Sequence, residues 1–284
     1  MAAITDLSDL INLTTGGNNG SPDNQFFFKT ARVAGAAAAA TIAGRSNSMW
    51  RYEGSYGSGA VPTVAEITTR STAGAIPFIA PGGSPTRTKW MTQFGGSSSV
   101  SCTVLLYDRL FHIGGLSGTS IVDQTVQGSP ASPALTRNTG GVGNMVFYEI
   151  YTAIGGTSTT LTMTYTDDSG NSSQTTTINI GGTGFNTAQR IQRIPLASGD
   201  NGVRAVEKIR LTATTGTAGN FGITIAKPIA WISAPAPGVL AIRDYATGLP
   251  GIPEIDPNAC LSLMYTPVST VATEFFGCCS FVEK

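Results

Sequence analysis

Few residues in this chain have the type and spacing to do chemistry. His112 is the only histidine, with Asp108 four residues before it and Ser117 five after it. A Ser/His/Asp hydrolase can be written down from these three. The stretch Gly114-Gly115-Leu116-Ser117-Gly118 misses the G-x-S-x-G nucleophile elbow, because position 119 is Thr. The spacing therefore predicts a structural histidine at a strand end and no catalytic residue. Asp167-Asp168-Ser169-Gly170-Asn171 offers oxygens to Ca²⁺ but lacks the twelve-residue loop spacing and a terminal bidentate Glu. It reads as a hairpin turn, as does Asp200-Asn201-Gly202. Gly181-Gly182-Thr183-Gly184 is glycine-rich like a phosphate loop, but no Lys-Ser/Thr follows it. Arg190 and Arg193 are close in sequence and too few to make a basic patch. Glu53, Glu66, Glu149, Glu207, Glu254 and Glu274 are scattered, so no glycosidase carboxylate pair can be named.

The cysteines extend the same pattern. Cys102, Cys260, Cys278 and Cys279 form no C-x-x-C pair, which argues against zinc. Adjacent Cys278 and Cys279 point to opposite faces of a strand. Four free thiols in a reducing compartment are expected. No metal and no cofactor is expected.

The elements that carry these residues alternate with a period of two. Leu161, Met163 and Tyr165 alternate with Thr160, Thr162, Thr164 and Thr166. Ile209 and Leu211 alternate with Lys208, Arg210 and Thr212, and Phe221, Ile223 and Ile225 with Gly222, Thr224 and Ala226. One apolar face and one polar face define a half-buried strand. Residues 101–113 and 145–153 are apolar on both faces and read as fully buried strands. Short strands separated by Gly-rich turns predict an all-β fold, an antiparallel β-sandwich of jelly-roll-like type. Residues 98–284 are assigned to this sandwich, with a long loop at 114–143 and a Pro-rich crossover at 233–258. Residues 1–97 read as an extended, mostly irregular N-terminal region. Within it, residues 5–13 suit a short amphipathic helix capped by Thr5. Ala36–Ala40 fits either a helix or a close backbone contact.

Charged residues make up only 12% of the chain, and its net charge is zero. The usual charged share is about 25%. Clustered Lys and Arg are what nucleic-acid binding needs, so no nucleic-acid partner is expected. No stretch is long enough for a membrane span, and no secretory signal is visible. A surface so poor in charge predicts coverage by neighbouring subunits. Phe26, Phe27, Phe28, Trp50 and Trp90 lie where strand periodicity is weak, and they are the candidate interface residues.

Two stretches resemble a known group. One is Leu105-Leu106-Tyr107-Asp108-Arg109-Leu110-Phe111-His112-Ile113-Gly114-Gly115-Leu116-Ser117-Gly118-Thr119. The other runs from Ile180-Gly181-Gly182-Thr183-Gly184-Phe185 through Ile194-Pro195-Leu196 and Gly199-Asp200-Asn201-Gly202-Val203-Arg204 to Thr214-Thr215-Gly216-Thr217-Ala218-Gly219-Asn220-Phe221-Gly222. Together they resemble tailed-bacteriophage virion proteins of the head decoration, or cement, type. The resemblance implies a structural protein and no enzyme, assembled in the host cytoplasm and sitting on the capsid exterior. The major capsid protein and a homotrimer of this chain are the implied partners. A tail or baseplate protein, or a carbohydrate-binding β-sandwich module, is the alternative. No functional residue carries over from the group.

Overall fold

The computed structural model describes residues 4, 6–15, 22–33, 41–82, 87–245 and 251–284. The polyalanine stretch Ala36–Ala40 lies outside the described residues. A single helix, α1 (Leu7–Thr14), precedes the strands among the described residues. Its cap is Asp6, and Thr5 lies outside the described residues. The Asp6 side chain accepts a bond from the Asp9 amide and so satisfies an end donor of the helix.

The strands are, in chain order, β1 (Asp23–Val33), β2 (Asn47–Ser48), β3 (Tyr52–Gly54), β4 (Glu66–Ile67), β5 (Lys89–Ser98) and β6 (Cys102–Leu116). Next come β7 (Gln124–Thr125), β8 (Met145–Thr152), β9 (Thr159–Asp167), β10 (Gln174–Ile180), β11 (Ile191–Ile194) and β12 (Val203–Leu211). The chain closes with β13 (Asn220–Ala234), β14 (Ala241–Asp244), β15 (Glu254–Ile255), β16 (Leu261–Pro267) and β17 (Glu274–Glu283). They form three antiparallel sheets. A central sheet runs β11-β8-β13-β6-β16-β2, with β4 also on β6. One flanking sheet runs β14-β5-β17-β1-β3, with β15 also on β5, and the other runs β10-β9-β12-β7.

Strands β6 and β13 each span 15 residues, long enough to carry two cores end to end. Their first shared half packs Val104, Leu106, Ile232 and Ala234 against Phe27, Phe94, Phe275 and Phe281 of the β5-β17-β1 sheet. The other half packs Phe111, Ile113, Ile223 and Ile225 against Leu161, Met163, Tyr165, Ile209 and Leu211 of the β9-β12 sheet. Both halves use the same face. The register shifts at Leu110 and at Ile229, and each inserted residue resets the alternation. Without these bulges one half would turn its apolar residues away from its core.

Within the first 97 residues, β1 and β5 are members of a sheet shared with β17. β1 pairs with β17 from Asp23↔Phe281 to Thr30↔Glu274, and β5 pairs with β17 along its length. Buried charge locks this three-strand unit. The Lys89 ammonium, fully buried, contacts Asp23 at 3.1 Å and Glu283 at 2.9 Å. α1 lays Leu10 and Leu13 over Val282 and Trp90 at one end of the sheet's outer face. The expected long loop begins only after Leu116 and contains β7, and the Pro-rich crossover contains β14 and β15.

All four cysteines are free, with Cys102, Cys260 and Cys279 buried and Cys278 half-buried. Burial pushes the Cys260 thiol up to about 12. Thiol titration of denatured, unreduced protein is expected to find four groups. In the native protein Cys102, Cys260 and Cys279 are expected to stay unmodified, and rapid labelling of any of them would contradict this packing.

Candidate functional site

His112 sits on the face of the central sheet opposite the two cores, under the segment at 47–76. Its two nitrogens are both engaged. Arg109 Nε donates to His112 Nδ1 at 2.9 Å, and His112 Nε2 lies 3.1 Å from Glu66 Oε2. With Nδ1 accepting, the proton of the neutral ring belongs on Nε2, which donates to Glu66. Arg109 is fully buried. It bonds Glu149 Oε2 at 2.7 Å and the Tyr151 hydroxyl at 3.0 Å. Thr224 and Tyr151 also donate to the same Glu149 oxygen. The Arg109 guanidinium stacks 4.5 Å from the Trp50 ring, which meets His112 edge-on. Gly59 makes room for that indole, since a Cβ there would lie 2.2 Å from it.

Asp108 belongs to a different constellation. It points to the opposite face, where Arg137 donates to both its oxygens at 2.8 and 3.0 Å. The Cys260 amide donates to it as well, at 2.8 Å. Arg137 also reaches the Thr68 and Arg109 carbonyls. Ser117 faces Thr119 and exchanges two bonds with Gln124. The three residues of the nominal triad are thus held by three separate sets of partners, and no nucleophile–base pair forms among them. A cleft of about 480 Å³ runs beside Asp108, lined also by Lys227, Glu254 and Asp256. Lys227 is engaged there by the Val142 carbonyl at 2.6 Å.

The other candidate groups resolve as turns or structural anchors. Asp167 accepts from the Asn171 amide and side chain and closes the β9–β10 hairpin. Asn201 donates its amide to Asp168, which joins the second turn to the first. Arg193 is exposed while Arg190 is buried, so the two do not act together. Glu149 pairs with Arg109 and Glu66 with His112. No group of three metal-ligating side chains occurs among the described residues. No helix among them is long and apolar enough to cross a membrane.

The aromatic candidates divide. Phe27 and Trp50 are buried in the chain's own cores, and Trp90 packs beneath α1. The chain covers Phe27 and Trp90 itself because β1 and β5 are regular strands of its own sheet, and it buries Trp50 against Ala75, Cys260, Arg109 and His112. Gly277 permits this, since a Cβ there would meet the Phe27 ring at 2.3 Å. Phe26 and Phe28 instead point out of the sheet. Phe26 is 81% exposed, Phe276 is 54% exposed, and Phe28 stacks on Phe276 with ring centroids 4.7 Å apart. The register places Ile242 beside Gly95, Gly95 beside Cys278 and Cys278 beside Phe26. Ile242 is 49% exposed. An uncharged apolar row therefore crosses four strands on the part of this outer face that α1 leaves open. Sequence spacing could have found it, because Phe26 and Phe28 share one face of a strand and Phe27 takes the other.

No family model matches the chain, and no curated protein matches it. Among solved structures it is similar to the infectious bursal disease virus VP2 subviral particle, at 9% identity over 93% of this chain and 81% of that one, with a TM-score of 0.18. It is similar also to T=1 particles derived from the same virus, at 10% identity over 93% and 78%, with a TM-score of 0.17. Similarity at this level transfers neither fold nor function.

The buried His112 makes a pH prediction. Burial, with the Arg109 charge next, lowers its pKa from 6.5 to about 2. The unfolded chain therefore binds one more proton than the folded chain between those values. The stability held above pH 6.5 is lost as pH falls below it. Denaturant unfolding from pH 7 downward is expected to be shallower in His112→Gln by up to about 1.4 kcal/mol per pH unit. Equal slopes in both proteins would contradict a neutral, buried His112.

Proposed function

We propose that the protein is a structural component of a tailed-bacteriophage virion, a decoration or cement protein that binds the major capsid shell from outside as a homotrimer. The observation that carries this reading is the apolar row Ile242, Gly95, Cys278, Phe26 with Phe28 and Phe276. This row can be desolvated without stranding ions, as a packed interface requires, while Arg32 and Glu53 pair with each other beside it. The internal use of charge points the same way. Asp23, Lys29, Lys89, Asp108, Arg109, Arg137, Glu149, Asp167, Arg190, Glu207 and Glu283 are all buried. The chain has only 17 basic and 17 acidic residues. Its surface is therefore poorer in charge than its composition suggests, which suits a protein that works in an assembly. The resemblance of residues 105–119 and 180–222 to decoration proteins supplies the virion and the capsid shell as partner.

In this reading the outer face built by β1, β5, β14 and β17 mates with a neighbouring copy. Phe26 and Phe276 are exposed enough for replacement without loss of fold. Each buried phenylalanine contributes roughly 1.5–3 kcal/mol to such a contact. The variant Phe26→Ser/Phe276→Ser is expected to weaken self-association by at least about tenfold. Light scattering at micromolar concentration and co-sedimentation with shells of the major capsid protein test both steps. A monomeric wild-type chain, or unchanged association in the double variant, would overturn the assignment of this face. Failure of the wild-type protein to bind shells would overturn the decoration role.

A further inference from the structure

Among the described residues, each buried cation either pairs with a carboxylate or can lose its proton, with one exception. Lys89 has Asp23 and Glu283, Arg109 has Glu149, and Arg137 has Asp108. Lys29 has no carboxylate, but it donates to the Tyr52 carbonyl, lies 3.8 Å from the Tyr56 ring centre, and burial lowers its pKa to about 7. Arg190 is the exception. It is 4% exposed and pairs with no carboxylate among the described residues. A guanidinium cannot shed its proton as an ammonium can. Its Nε donates to the Gly184 carbonyl at 3.2 Å and its Nη1 to the Asn47 side chain. Neither acceptor carries charge.

A second unneutralised guanidinium stands next to it. Arg45 stacks 3.8 Å from the centre of the Phe185 ring, and its Nε is buried with no hydrogen-bond partner. Gly184, whose carbonyl accepts from Arg190, has φ +83, and a Cβ added there would lie 3.8 Å from Arg45 Nε. The Arg45 charge, after burial itself, also lowers the pKa of Arg190. Both side chains line one cleft of about 280 Å³ with Ser46, Tyr148, Phe185 and Gln192. A neighbouring cleft of about 430 Å³ shares Phe185 and Gln192 and runs along Ser158, Asn179, Gly181 and Gly182. The glycine-rich stretch that lacks a phosphate-loop lysine in sequence thus borders two arginines in space.

We propose that Arg45 and Arg190 form a binding site for a small oxyanion, a phosphate or a carboxylate, seated against Phe185 and Gln192. Two like charges held together in a partly desolvated cleft are unfavourable until an anion enters. A guanidinium fork fits the oxygens of either anion. The site is independent of the apolar face on β1 and β17 and of the assembly assigned to it.

Isothermal titration calorimetry of the full chain at constant ionic strength tests the site, with inorganic phosphate in one arm and succinate in the other. Saturable binding of at least one probe at one site per chain is expected, weakened tenfold or more in Arg45→Gln and partly retained in Arg45→Lys. Phosphate binding alone would assign the site to phosphate, and succinate binding alone to a carboxylate such as an acidic side chain of a neighbour. Binding of neither probe, or equal binding by the wild type and Arg45→Gln, would overturn the proposal. A far-ultraviolet spectrum checks the fold of each variant. Should Arg45→Gln fail to fold, the thermal midpoint of the wild type in phosphate against chloride of matched ionic strength decides, and no difference overturns it.

Discussion

The contact between Asp108 and Arg137 ties the long loop to β6 and to the segments at Thr68 and Cys260. It sits where β6 changes partners, from β16 along Cys102–Asp108 to β4 at Phe111 and His112. At such a change the ladder is interrupted and backbone groups are left without strand partners. Arg137 fills the gap from the long loop, bonding Asp108 and the carbonyls of Thr68 and Arg109, while Asp108 receives the Cys260 amide. Four separate segments are satisfied by one ion pair. Removing one partner of such a buried pair costs roughly 3–5 kcal/mol, because the other is left charged and alone. The same point lies between the two cores, so one sheet can carry two packed layers side by side without a gap of unpaired polar groups.

Much of the fold is legible in the residues themselves. The alternation in β9, β12 and β13 marks one buried face, and the doubly apolar β6 and β8 mark the strands covered on both sides. What escapes the pattern is distant pairing. Nothing near Phe26–Phe28 announces that β17, about 250 residues later, supplies the neighbouring strand. The weak periodicity of residues 1–97 therefore reads as an irregular arm when β1 and β5 are regular members of a sheet. Lys89 shows the same limit, since its two carboxylates come from opposite ends of the chain.

The candidate sites are legible to different depths. The missing elbow at Thr119 is enough to separate Ser117 from His112, and the structure gives His112 a physical task, accepting from Arg109 beneath Trp50. Asp108 and His112 are four residues apart, and the inserted Leu110 between them sets which side of the sheet each faces. Arg45 and Arg190 are invisible as a pair, because 145 positions separate them and it is the pairing of residues 46–48 with 189–191 that brings them together. The aromatic run Phe26-Phe27-Phe28 splits by strand geometry alone, one ring inward and two outward.

Charge is drawn inward while an apolar row is left outward on one face. Lys89, Arg109 and Arg137 hold the sheets in register from inside, while α1 covers only one end of the outer face. Cys278 lies in the middle of the open end and reports on it directly. Its alkylation by a neutral maleimide can be compared between the chain diluted to monomer and the assembly with capsid shells proposed above. Modification in the monomer and protection in the assembly are the expected result. Equal rates in the two states would contradict it.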